Sequence, residues 1–277
     1  MRQGGEHVAQ NAETLSDEIA EYYDRGDEPG RLLAGTGLLE RERTREILTR
    51  YLPPAPARIV DVGGGDGIHA RWLAEAGYEV HLVDPIAKHV EKAAAPSVTA
   101  EVGDARDLHL PDQSCDAALL IGPLYHLTAR EDRVRAPREA RRVLRPGGPV
   151  FVAAISRFAS ALDGLLRGCL DDPAFAAIVR NDLRDGQHRN PTGRPGYFTT
   201  AYFHRPEELG EEIEDGGMAH ECTLSVEGPA WLLQDFELRW SGPERRERML
   251  EVVRALEAEP SVLGAGAHLL AVGRRSA

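Results

Sequence analysis

The densest run of chemistry-bearing residues is Val60-Asp61-Val62-Gly63-Gly64-Gly65-Asp66-Gly67. Glycines at such a turn let the backbone pass close beneath a ligand, because a Cβ would clash and positive φ costs glycine little. Asp84 follows 21 residues after Gly63, at the end of a run alternating Tyr78, Val80 and Leu82. From that position a carboxylate can accept both hydroxyls of a ribose. The dinucleotide fingerprint G-x-G-x-x-G would need glycine at 68, where Ile68 stands, and no G-x-x-x-x-G-K-[ST] phosphate cradle occurs.

These residues need elements to position them, and the punctuation of the chain divides it into 1–56, 58–155, 156–205 and 206–277. The first zone reads as helical. Thr14 and Asp17 have capping-box spacing, and a helix through Leu39, Ile47, Leu48 and Tyr51 is stopped by Pro53-Pro54. In the second zone, short apolar runs at 59–62, 78–84, 98–102, 117–121 and 150–155 alternate with helical stretches, one closing on Gly77. Such alternation implies βαβ units and a doubly wound parallel sheet, with its ligand crevice at the carboxyl ends of the strands. Thr128 and Glu131 have capping-box spacing for a helix that Pro137 should kink or split.

The third zone interrupts this rhythm with two helical stretches, a Gly- and Pro-rich loop at 185–196 and an aromatic segment at 197–203, which together read as a lid. The fourth returns to pattern. A helix runs from Pro206 to Gly216-Gly217, a strand lies around 222–226, a helix spans 243 to about 256, and a last strand spans 268–272. The whole is read as one domain.

With 277 residues, 42% of them hydrophobic, the chain has the composition of a folded globular protein, which excludes disorder and fibres. Its 33 basic and 45 acidic residues give a formal charge of −12, which disfavours nucleic acid as a partner. No apolar run approaches the length of a membrane helix and the N-terminus has no signal-peptide core, so a cytoplasmic protein with no membrane partner is expected. Three cysteines, without CxxC spacing, point to neither a disulfide framework nor zinc.

Five features stand in one order: Asp61-x-Gly63-x-Gly65-x-Gly67, Asp84, Gly103-Asp104-Ala105, a strand at 116–121 leading into Gly122-Pro123-Leu124-Tyr125-His126-Leu127, and Leu144-Arg145-Pro146-Gly147-Gly148. In order and spacing they resemble the class I S-adenosylmethionine-dependent methyltransferases of small-molecule acceptor type. The resemblance implies an α/β, Rossmann-like doubly wound fold. Its seven-stranded, mostly parallel sheet would carry an N-terminal helical cover and a helical lid insertion.

It further implies S-adenosyl-L-methionine as cofactor. Gly63, Gly64 and Gly65 would pass under the methionine part and Asp61 would face its ammonium. Asp84 would hold the ribose, with Pro85 and Ile86 on the adenine. Asp104 would accept from the adenine amino group while the Ala105 amide approaches a ring nitrogen. Ile121 and Gly122 would lie beside the methionine and the methyl group. The leader at 22–32 looks like a segment that folds over the cofactor. It would bring in Tyr23, and Arg31 would grip the cofactor carboxylate.

Methyl transfer by in-line displacement requires mainly aim and exclusion of water, with a general base for some acceptors. His126 and His204 are the candidate bases, and Tyr125, Tyr202 and Phe203 candidate pocket walls. Asp171-Asp172 and Asn181-Asp182 match no ligand spacing, so no metal is expected. Ile121-Gly122-Pro123-Leu124 stands where many nucleic-acid and protein amino-methyltransferases carry Asn-Pro-Pro-Tyr. The expected partner is therefore a small organic acceptor, for a monomer or homodimer. Two alternatives remain. One is a protein that binds S-adenosylmethionine without transferring its methyl. The other, disfavoured by Ile68, is a nicotinamide-dependent oxidoreductase.

Overall fold

The structure is a computed structural model that describes Ile19, Tyr22, Tyr23 and residues 30–276. The helix expected around Thr14 and Asp17, and residues 24–29 of the leader, lie outside the described residues.

Strands β1 (Arg58–Val62), β2 (Glu79–Asp84), β3 (Val98–Val102), β4 (Ala117–Leu120) and β5 (Pro149–Ser156) stand side by side in the order β3-β2-β1-β4-β5, all parallel. Helices cover both faces, which is why β4 and β5 are buried at every residue and read as unbroken apolar runs. Alternate residues serve separate cores. Val60, Val62, Ala118, Leu120, Val150 and Val152 pack with one set of helices, while Ile59, Ala117, Leu119 and Phe151 pack with the other. On the second face lie α1 (Gly37–Tyr51) and α2 (Ile68–Glu75), through Ile47, Leu48, Ala70 and Leu73. Helix α3 (Ala87–Ala93) links β2 to β3, and α4 (Arg130–Val143) covers the first face through Ala136, Ala140 and Val143.

The insertion departs from expectation. Besides α5 (Ala159–Arg167) and α6 (Pro173–Asp185), it contributes two strands, β6 (Gln187–His188) and β7 (Ala201–His204), paired antiparallel. The sheet therefore has nine strands rather than seven. Strand β4 ends in register with Val152, whereas β5 continues to Ser156, and Ile155 and Ser156 pair with Phe203 and His204 of β7. The aromatic segment thus satisfies backbone that a longer β5 would otherwise expose. The loop expected at 185–196 is correspondingly shorter, since Asp185 ends α6 and Gln187 opens β6.

Helix α7 (Pro206–Asp215) joins the first core through Leu209 and Ile213. Strands β8 (Ala219–Ser225) and β9 (His268–Arg274) follow, with α8 (Phe236–Ser241) and α9 (Pro243–Leu256) between them. Because β9 runs antiparallel to β5, its first residue, His268, lies opposite Ile155 at the carboxyl edge. Two local expectations for α4 fail. No side chain caps its N-terminus, where Ala129 is the cap residue, and the Thr128 carbonyl instead accepts from Arg133 at 2.8 Å and from Gln187 at 3.0 Å. Nor does Pro137 split the helix. It is buried against Gly216, where a Cβ would come within 2.8 Å of the proline Cβ.

Among the described residues no helix is long and apolar enough to cross a membrane, and Cys115, Cys169 and Cys222 are free thiols.

Candidate active site

The loops leaving β1, β2, β3 and β4 enclose a cavity of about 470 Å³ at the carboxyl edge of the sheet. Its floor is bare backbone. Gly63 (φ +69°) donates to the Val83 carbonyl at 2.7 Å, and a Cβ on Gly122 would stand 2.6 Å from the Gly63 oxygen. Gly65 (φ +56°) donates to Asp84 Oδ2 at 2.9 Å, while Asp84 Oδ1 accepts from the Ile86 amide at 3.0 Å and faces His89 Nδ1 at 3.1 Å. The glycine turn and the end of β2 are thereby locked to each other.

Asp61 lies beneath this turn, 1% exposed, in register with Leu82 on β2 and Leu119 on β4. Neither carboxylate oxygen has a hydrogen-bond partner among the described residues. Burial pushes its carboxyl up to about 7, and the nearby Asp84 charge adds to the shift. On the far side, Arg106 grips Asp104 through Nε at 2.9 Å and Nη2 at 2.6 Å, and reaches Asp132 at 3.0 Å. Burial would raise the Asp104 carboxyl, but the Arg106 guanidinium outweighs it and holds it below the usual carboxylate range.

Of the residues expected from sequence, Tyr23, Gly63, Gly65, Asp84, Pro85, Asp104, Ala105, Gly122 and His126 line this one cavity. Asp61 and Gly64 lie under it rather than on its wall, a Cβ at Gly64 falling 2.8 Å from Asp61 Oδ2. Ile121 turns into the core. Arg31 lines a neighbouring cavity, where it donates to Glu40 Oε1 at 2.9 Å.

The two histidines differ from expectation. His204 lines neither cavity. It is fully buried, with Nε2 3.0 Å from Glu212, which also pairs with Arg133 at 2.9 Å, so it belongs to a buried charge network. His126 is on the wall, but both its ring nitrogens are engaged. Nε2 is 2.7 Å from the Tyr23 hydroxyl and Nδ1 3.3 Å from the Thr200 carbonyl. Burial lowers it to about 4, so the ring is neutral near pH 7.

Ile19, His89, Arg106, Asp132 and Thr200 also line the cavity and were missed. An arginine two residues after Asp104, close enough to clamp it, was the one available signal. The acidic pairs weighed as metal ligands have structural partners instead. Asp172 caps α6 through the Ala174 amide at 2.9 Å, and Asp182 pairs with His188 at 2.9 Å.

A second cavity of about 250 Å³ shares Tyr125 with the first and is walled largely by the insertion, including Phe175, Tyr197, Phe198 and Phe203.

A family model described as a methyltransferase domain matches residues 60–152, the span from β1 through the first half of β5 that builds the larger cavity. Residues 60–152 therefore match a methyltransferase domain of the S-adenosylmethionine-dependent kind. An uncharacterized methyltransferase of Mycobacterium tuberculosis is 38% identical over 120 residues, covering 42% of this chain and 48% of that protein. A ubiquinone/menaquinone biosynthesis C-methyltransferase of a Caulobacter species is 34% identical, covering 41% and 50%. The chain thus spans about half the length of these curated relatives. A 23S rRNA (guanine(748)-N(1))-methyltransferase of Streptomyces fradiae is 33% identical, covering 62% and 65%. Among solved structures, an S-adenosylmethionine-dependent methyltransferase from Mesorhizobium loti matches with a TM-score of 0.59 and 22% identity, over 86% of this chain and all of that one.

The residues of the methyltransferase domain fit its cofactor on two observations. A buried carboxylate without partners calls for a cation, which the α-ammonium of a cofactor bound above Asp61 would supply. At Gly65, which lines the cavity at φ +56°, no protein atom lies within 4 Å of the Cβ position, so a ligand can approach the backbone there.

Proposed function

We propose that this protein transfers the methyl group of S-adenosyl-L-methionine to a small organic acceptor. The observation that carries the reading is Asp61: a carboxylate sealed between leucines with neither oxygen matched is stable in a folded protein when a bound cation completes it. The cofactor, when bound, supplies an electrophilic sulfonium methyl. In-line displacement there would join an acceptor lone pair to that carbon, the carbon–sulfur pair passing to sulfur and a hydroxyl or amine acceptor giving up its proton.

The chain's own residues bind and aim. Asp61 holds the ammonium, Asp84 the ribose hydroxyls, and Asp104 with the Ala105 amide the adenine. Gly63, Gly65 and Gly122 allow close approach. Tyr23 covers the cavity from the N-terminal side, and His126, neutral and engaged at both nitrogens, positions the Tyr23 hydroxyl rather than taking a proton. Arg31, paired with Glu40 on the second cavity, is left out of the cofactor set.

A small acceptor is supported by the formal charge of −12, which gives a polyanion no overall attraction, and by an aromatic cavity of about 250 Å³ beside the first. The test incubates the full chain with S-adenosylmethionine, a panel of hydroxylated and amino small molecules, and separately structured RNA, reading S-adenosylhomocysteine by mass spectrometry. Small-molecule turnover, lost in Asp84→Ala, is expected. Turnover with RNA alone would overturn the acceptor class, and cofactor binding without any turnover would favour a non-transferring binder.

A further inference from the structure

The second cavity combines an aromatic wall, including Phe175, Tyr197, Phe198, Phe203 and Trp231, with the polar side chains of Arg31 (on Glu40), Ser160 (on Asp182), Asp163 (on Arg167), His188 and His268. Such a wall suits a flat apolar molecule, and orientation then falls to whichever polar atom still has a valence to offer. The histidines nearby separate on that criterion. His188 has Nδ1 on Asp182 at 2.9 Å and Nε2 on the Tyr197 carbonyl at 2.8 Å, so neither nitrogen is left. His126, on the first cavity, is likewise engaged at both.

His268 differs. Its Nδ1 is 2.5 Å from Glu227 Oε1 and 3.5 Å from Glu40 Oε2, so both carboxylates lie on one side of the ring. Its Nε2 has no hydrogen-bond partner among the described residues, yet is not a sealed buried atom; it opens on the cavity that His268 lines. The ring cannot swing. Glu227 is buried, and its other oxygen accepts from the His268 amide at 3.0 Å.

The groups facing this imidazole are Arg31 in the turn before α1, Glu40 in the first turn of α1, Glu227 after β8, and His69 of α2 acting on Glu40. Burial alone would lower the ring, but the Glu40 and Glu227 charges outweigh it and raise it above the ordinary histidine value. Glu40, Glu227 and His268 approach one another closely enough to hold a metal ion, but the Arg31 guanidinium already occupies Glu40. The two carboxylates thus favour the protonated ring, whose Nε2–H would face the aromatic box.

We propose that the second cavity holds the methyl acceptor, a planar, largely apolar molecule bearing an acidic hydroxyl, phenolic or enolic, whose oxygen receives a hydrogen bond from His268 Nε2 oriented by Glu227. This assignment rests on the methyl-transfer reading above. The charged donor favours the ionised oxygen, so the hydroxyl proton leaves for solvent at a lower pH in the cavity than outside it.

The test uses the full chain with 4-nitrophenol, whose phenolate is coloured, titrated with and without saturating S-adenosylhomocysteine. Bound to the wild type, the phenol should ionise at a lower pH than in buffer. His268→Ala should weaken phenolate binding about tenfold or more, on the scale of a charged hydrogen bond. His268→Gln, which keeps an N–H without the charge, should bind the phenol but lose the shift in ionisation. Ala159→Leu, filling the cavity, should abolish binding. S-adenosylhomocysteine affinity, measured separately, should be unchanged in all three. Unchanged nitrophenol affinity and colour in His268→Ala, or displacement of nitrophenol by S-adenosylhomocysteine, overturns the proposal. If S-adenosylhomocysteine fails to bind the wild type, the methyl-transfer reading falls and takes the acceptor assignment with it.

Discussion

Asp61 sets the terms at the residue scale, because its charge has no protein partner. The folded chain holds this proton up to about pH 7, whereas an exposed aspartate releases it at about 3.9. Between those values the folded state binds more protons than the unfolded one, so Asp61's contribution to stability falls as pH rises through the window. Asp61→Asn should therefore raise the melting temperature of the ligand-free protein at pH 8, by several degrees. The gain should shrink toward pH 5. A wild type that melts higher than the variant at pH 8 would falsify this view of Asp61. Sequence placed Asp61 and Asp84 at the carboxyl ends of strands because strand ends are legible in apolar runs. It misassigned His204 because only the pairing of β7 with β5, a contact between residues far apart in the chain, buries that ring beside Glu212.

At the scale of elements, the site depends on two loops meeting without side chains. A Cβ on Gly122 would stand 2.6 Å from the Gly63 carbonyl oxygen, a backbone atom that cannot swing aside. Gly122→Ala should keep the fold at a cost of about 1–3 kcal/mol and weaken S-adenosylhomocysteine binding about tenfold or more. Gly147→Ala is the control, since it adds a Cβ at a positive φ that Gly122 lacks but has nothing within 4 Å of that Cβ, and should leave affinity unchanged. Equal affinities for the two variants and the wild type would remove the floor from the account. The five parallel strands were readable as buried apolar runs. Strands β6 and β7 were not, because two and four residues carry too little periodicity, and their partner is an overhang of β5 visible only in three dimensions. Pro137 misled for the opposite reason: the local rule holds for an exposed helix, whereas here the proline is packed against Gly216.

Across the whole molecule, the larger cavity is built by the domain at 60–152 together with Ile19 and Tyr23 from the N-terminal side and Thr200 from the insertion. The smaller one draws most of its aromatic wall and Asp163 from the insertion, Arg31 from the turn before α1, and His268 from β9. The motifs therefore announced the cofactor, while the second cavity, assembled from residues as distant as Arg31 and His268, left no local signature. Isothermal titration of the full chain with S-adenosylhomocysteine tests the central assignment most directly. The account predicts one molecule bound per chain, with affinity falling as pH drops below about 7, because Asp61 must surrender its proton to meet the ammonium. Adenosine, which has no ammonium, should show no such dependence. No binding, or tighter binding of a nicotinamide dinucleotide than of S-adenosylhomocysteine, would contradict it.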